Sequence, residues 1–230
     1  MKTDLLKKLV LAVSLMVVGN VAFSQTHYSS NVCIGAHAGI DLPRVFFSPA
    51  VKQSWYVEPM MGVGIRYIEE NHFGLIAEVN WVRRGWKENF EGLNFKYIRN
   101  IDYIEIPVFA HIYFGKKARF YLNAGPQIAF KISDSVNANF DVDHLFSVPD
   151  FPHLNRHNEQ LTEKISQKVD YGISAVLGCE YNINPKNSVT LEARYYFGLG
   201  NIMPSKRQDT FKASNTMYLA FNVGYWFRIK

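Results

Sequence analysis

Eight stretches of the chain alternate between two kinds of side chain, and one of the two faces carries no charge from end to end. The pattern predicts strands over residues 32–41, 58–68, 74–82, 102–113, 119–130, 169–181, 188–197 and 216–228. Their apolar rows, taken at every second residue, hold 41 residues without one Asp, Glu, Lys or Arg. Typical members are Val63 and Ile65 in the second stretch, Ile104 to Ile112 in the fourth and Met217 to Phe227 in the last. A period of two excludes a helical bundle, whose apolar stripe recurs every three to four residues. The 34 aromatics among 230 residues, set against near-neutral mean hydropathy, suit half-polar strands in the same way.

Alternation alone does not say which face points outward, because a soluble ligand-binding barrel alternates too. The opposite face decides it. It carries Asp41, Glu58, Arg66, Glu78, Glu105, Arg119, Asp170, Glu180, Glu192, Arg194 and Arg228, many glycines, and no lysine. A water-facing wall uses lysine freely, whereas a confined interior favours small residues and carboxylate–arginine pairs that satisfy each other. The barrel is therefore expected to be inside-out: closed, eight-stranded, antiparallel, up-and-down and transmembrane. The connections support this, with short turns at 69–73, 114–118 and 182–187 and long loops at 42–57, 83–101, 131–168 and 198–215. Aromatics crowd both ends of the apolar rows, Tyr67, Phe120, Tyr181 and Phe227 at one rim and Trp81, Phe130, Tyr171 and Phe197 at the other. Pro107 and Pro126 cannot donate to a ladder, so bulges are expected there, and Ile76, Phe109 and Val176 are expected to pack the lumen.

The first 24 residues read as a signal peptide: Lys2, Lys7 and Lys8, an apolar run from Leu9 to Val18, then Ala22-Phe23-Ser24. Residues 25–31 form an N-terminal extension and 32–230 the barrel domain. Removing the leader takes away three lysines and one aspartate, so the charge falls from +5 to +3. That mild charge, without a basic stripe, argues against nucleic acid as a partner. Cys33 faces the lumen and Cys179 the lipid, which makes a disulfide between them improbable.

The segments Tyr103-Ile104-Glu105-Ile106-Pro107-Val108, Tyr121-Leu122-Asn123-Ala124-Gly125-Pro126, Asp170-Tyr171-Gly172 and Arg194-Tyr195-Tyr196-Phe197-Gly198-Leu199 resemble the porin-like outer-membrane β-barrel domain of the PorT family of Bacteroidota-type bacteria. The resemblance runs from about residue 32 to residue 227, and its Glu-Ile-Pro and Ala-Gly-Pro steps would account for both strand prolines. It implies an outer-membrane location and, for the name-giving member, a role in protein secretion across that membrane. The 38-residue segment 131–168 departs from a bare family core.

The expected lumen holds His37, Arg66, Glu78, Glu105, His111, Glu192 and Arg194, read as a salt-bridged plug rather than an acid–base site, because eight strands leave room only for side chains. In the first long loop Phe46, Phe47, Trp55 and Tyr56 are read as folding onto the barrel rim, with a role as candidate external partner contacts the less favoured alternative. Asp141, Asp143, His144, His153 and His157 are read as a solvated polar loop, with metal binding the less favoured alternative. Residues 158–168 read as a short surface helix with Leu161 and Ile165 on one side. The resulting expectation is a non-enzymatic outer-membrane protein, structural or partner-binding, without cofactor or resident metal and with both termini periplasmic. Its partners would be outer-membrane lipid and secretion-machinery or cell-surface proteins. The alternatives are a small gated pore, or a membrane enzyme using His144, His153 or His157 at the external rim.

Overall fold

The computed structural model describes residues 30–152, 156–205 and 209–229. The leader assigned to residues 1–24, most of the 25–31 extension and His153 lie outside these residues. Eight strands form a single ring: β1 (Asn31–Ser48), β2 (Glu58–Glu70), β3 (Phe73–Glu88), β4 (Tyr97–Gly115), β5 (Ala118–Ala138), β6 (Val169–Asn182), β7 (Asn187–Gly198) and β8 (Ala213–Arg228). Each strand is antiparallel to its neighbours in sequence, and β1 closes the ring on β8 from Cys33↔Arg228 to Ser48↔Ala213. None of the described helices is long and apolar enough to cross a membrane; any crossing falls to these strands.

The two faces separate as the charge pattern requires. Val63, Leu177 and Val223 on the outer wall are 58%, 65% and 62% exposed, whereas the ionisable Glu105 and Arg194 inside are 0% exposed. A wall of this kind is stable only in lipid or detergent, where closure also leaves no backbone edge unpaired across the apolar belt. Ile76, Phe109 and Val176 are apolar residues at inward positions and pack there with Cys33, Ile68, Tyr113, Tyr121 and Trp226, forming an apolar floor at the short-turn end. Cys179 is exposed on the outer wall and Cys33 is buried; both are free thiols. At the β4–β5 turn Gly115 has φ +108°, and a Cβ there would meet the Ala118 carbonyl at 2.2 Å, so no other residue fits without moving backbone.

Three expectations are corrected. Beyond the belt the strands run on into what the sequence pattern marked as loops: β1 to Ser48, β3 to Glu88, β5 to Ala138, with β4 starting at Tyr97. There the outward face turns polar. Arg83 pairs with Asp102 at 2.7 Å and with Glu58 at 3.5 Å, and the Ser133 hydroxyl donates to Asp102 at 2.6 Å. The alternation persists, but its apolar row ends at the edge of the lipid. Pro107 and Pro126 produce no bulge either: the β4–β5 register is the same at Pro107↔Gln127 and at Ala110↔Ala124, and the ladder simply lapses between them. The register shift lies higher, between Asp102↔Ser133 and Tyr103↔Lys131, where Ile132 is the extra residue. Finally, only Glu159–Thr162 is helical within 158–168, and Leu161 and Ile165 are buried rather than lying under a surface helix.

Candidate functional site

Inward positions of neighbouring strands stack three arginine-centred layers along the lumen, and in two of them the arginine bridges a pair of carboxylates. Nearest the short turns, Arg66 bonds Glu180 at 2.6 Å and lies over the Trp226 ring at 4.7 Å. Arg119 approaches the same carboxylate at 3.7 Å, and the Ser188 hydroxyl donates to it at 2.5 Å. Beside this layer His111 Nδ1 meets Asn123 Oδ1 at 2.6 Å. In the middle layer Arg194 bridges Glu78 at 2.8 Å and Glu192 at 2.9 Å. Tyr121 donates to Glu192 at 3.1 Å, and Asn80 to Glu78 at 3.0 Å. His37 lies beside this layer, close to Asn80 across the side-chain-free Gly62.

The third layer contains a residue the sequence pattern missed. Arg84 is fully buried, pairs with Glu105 and reaches Asp170 at 2.7 Å. Three tyrosine rings enclose its guanidinium: Tyr196 at 4.1 Å, Tyr103 at 4.8 Å and Tyr218 at 5.4 Å. Tyr218 donates to Glu105 at 2.8 Å, Gln127 donates to Glu105 at 2.5 Å, and Thr216 donates to Asp170 at 2.5 Å. The sequence pattern places Arg84 in the 83–101 loop because the outer row ends at Trp81. The inward row Glu78, Asn80, Val82, Arg84, Trp86, Glu88 continues in unbroken parity, and that was the available signal.

Above this layer an apolar cluster covers the long-loop mouth. Phe47 and Trp86 from the strands meet Phe151, Leu161 and Ile165 of the 139–168 connection and Ile202, Met203 and Phe211 of the 199–212 connection. Phe47 packs edge-on to Trp86 at 5.2 Å and against Phe211 at 5.1 Å. Phe47 is thus buried and withdrawn from the candidate partner contacts, since its position on the extended β1 points inward. Phe46, one residue earlier and facing out, is exposed; Trp55 is exposed and lies under the Arg44 guanidinium at 4.7 Å. Tyr56 is half-buried, with its hydroxyl against the backbone at Gly85.

One carboxylate fastens the cover. Glu88 accepts from Trp86 Nε1 at 2.9 Å and from Gln160 at 3.1 Å, and pairs with Arg156. Burial pushes its carboxyl above the ordinary value, outweighing those donors. A carboxylate whose folded-state value is raised contributes stability that is fully present below the unfolded value and is lost as pH rises through the folded one. The parent should therefore gain thermal stability relative to Glu88→Gln as pH falls from about 7 to 5. A parent–variant difference that stays constant over that range would contradict this. In the same connection Asp141 holds His144 Nδ1 at 2.9 Å and His157 lies 3.7 Å from Glu159, and no group of three or more possible metal ligands forms among the described residues.

The family model for the outer membrane protein beta-barrel domain matches residues 20–203. The chain belongs to this outer-membrane β-barrel family. Its place is accordingly the bacterial outer membrane, with the apolar rows against lipid. Among solved structures it is similar to the outer membrane protein OprG of Pseudomonas aeruginosa, at 11% identity and TM-score 0.51 over 87% of this chain and 95% of that one. It is also similar to Neisserial surface protein A, at 14% identity and TM-score 0.45 over 86% and 98%, and to the attachment invasion locus protein Ail of Yersinia pestis, at 12% and 0.41 over 85% and 99%. At such identities OprG supports the fold of this outer-membrane barrel and nothing finer. No curated protein matches the chain.

Proposed function

We propose that this barrel is a non-conducting, non-enzymatic scaffold that presents its long-loop end to other proteins outside the cell, with both termini in the periplasm. The carrying observation is the filled lumen: the Arg84 layer spans it, and the apolar cluster around Trp86 lies over that layer. Eight strands leave an interior just wide enough for side chains, whereas wide aqueous channels need about 16. Exposed Phe46 and Trp55 supply partner contacts on the long-loop end. Membership of the PorT family of Bacteroidota-type bacteria, with an accessory role in secretion, rests on the Glu-Ile-Pro and Ala-Gly-Pro steps at Pro107 and Pro126. The domain plan is a cleaved leader over 1–24, an extension over 25–31 and the barrel over 32–230.

In a planar bilayer the purified protein should be electrically silent at single-channel resolution. Discrete, reproducible conductance steps from the folded monomer would replace the scaffold by a small pore.

A further inference from the structure

Above the lipid belt, the edges of β1, β3, β5 and β8 lose the barrel neighbour that covers them lower down. All but that of β5 are covered by other parts of the chain; on β3 a two-residue strand, Gln53–Ser54, pairs with Glu88 and Lys87. On β1 the Gln53 side chain imitates a strand, donating to the Val45 carbonyl at 2.7 Å and accepting from the Val45 N–H at 3.1 Å. On β8 the incoming connection takes over, with Ile202 N–H donating to the Ser214 carbonyl at 2.9 Å and Ser214 N–H to Asn201 Oδ1 at 2.8 Å. On β5 the partner strand β6 ends at Val169↔Phe130, and a last bond runs from Lys131 N–H to the Lys168 carbonyl at 2.8 Å. Beyond it, among the described residues, β5 continues to Ala138 with β4 on one side only. The described side-chain bonds of this stretch, Arg99 to Asp134, Ser133 to Asp102 and Ser135 to Asn100, all return to β4. About 20 Å of strand edge, from Ile132 to Ala138, thus presents backbone donors and acceptors to solvent.

We propose that this edge receives an extended segment of another protein, added as a ninth, antiparallel strand. A second copy is the wrong shape for it. Two barrels inserted the same way in one membrane are related by an axis along the membrane normal, so their outward-running β5 edges would meet parallel. Symmetric edge pairing between sheets instead needs antiparallel strands. The edge is also electrically mild, because Arg99 holds Asp134 at 2.7 Å and the rest of the stretch is Ile, Ser, Val, Asn and Ala. The exposed Lys168 stands at its foot across from Lys131. An antiparallel strand arrives there with its C-terminal end, so the fitting segment is uncharged, rich in β-formers such as Thr and Val, and closed by a carboxylate.

The inference deepens the partner-binding reading and rests on it. The test uses the protein refolded in detergent micelles and the synthetic peptide Thr-Val-Thr-Val-Thr-Glu with a free C-terminus. Saturable binding is expected, with slowed amide exchange over residues 132–138 of β5. N-methylating one alternate set of peptide residues should weaken binding about tenfold or more, because those N–H groups face the edge, while methylating the other set leaves it intact. Val136→Pro should reduce binding while the barrel keeps its heat-modifiable mobility. Equal affinity for both methylated peptides, or no saturation at millimolar peptide, overturns the proposal. So does a concentration-dependent dimer with the same amides protected, which would make a second copy the occupant. None of these outcomes bears on the conductance test, so loss of the edge site and loss of the scaffold reading are separable.

Discussion

Arg84→Ala is expected to destabilise the folded barrel by about 3–5 kcal/mol, the cost of leaving buried charges without their partner. The substitution removes the shared cation of Glu105 and Asp170, and it empties the space between the rings of Tyr103, Tyr196 and Tyr218. Urea unfolding in lipid vesicles, followed by tryptophan fluorescence, would measure it. The deficit should come from stranded negative charge more than from lost volume. Arg84→Met combined with Glu105→Gln and Asp170→Asn should therefore recover most of the stability, as replacement of buried ion networks by neutral groups often does. A single Arg84→Ala variant within about 0.5 kcal/mol of the parent would place water or mobile side chains where the layered network is drawn.

The second large effect lies on the outer wall. Val63 is central in the β2 lipid-facing row and paired with Ala36, so Val63→Arg puts a guanidinium near the middle of the hydrocarbon. The expected cost is about 2–4 kcal/mol. Leu93 is comparably exposed, at 47% against 58%, but lies in the 89–96 connection beyond the belt. Leu93→Arg should change stability by no more than about 0.5 kcal/mol. The same chemical change at two exposed apolar positions thus separates lipid from water. Equal costs at the two sites would contradict the inside-out assignment, and both can be read from the same vesicle unfolding curves.

The central halves of all eight strands were legible because lipid imposes a rule no soluble wall obeys: the outer row must stay uncharged while the inner row takes the charge. That rule gave the parity of Glu78, Glu105, Glu192 and Arg194, of which the structure gathers Glu78 and Glu192 around Arg194 and sets Glu105 beside Arg84. It stopped at the edge of the lipid, where Arg83 and Asp102 face water on strands that continue. Arg84, as fully buried as Arg194, was lost with that stretch although its inward parity was intact. The cover over the mouth was illegible for a different reason. Phe47, Trp86, Phe151, Leu161, Met203 and Phe211 come from four separate parts of the chain, and no local periodicity links them. Phe47 accordingly read as a surface aromatic. The prolines misled in the opposite sense, since the β3–β4 ladder lapses at Pro107 and the β4–β5 ladder at Pro126, and neither changes register.

The most direct test of the central claim, a closed barrel with an apolar outer wall and a salt-bridged interior, is the mobility of the protein from an outer-membrane fraction in SDS gels with and without boiling. Closed barrels resist SDS until heated, because their backbone groups are satisfied within the ring. The account predicts a compact, faster band that shifts on boiling, and a lower shift temperature for Arg84→Ala. A single heat-insensitive band, with the protein recovered in the soluble periplasmic fraction, would contradict it and turn the apolar rows inward.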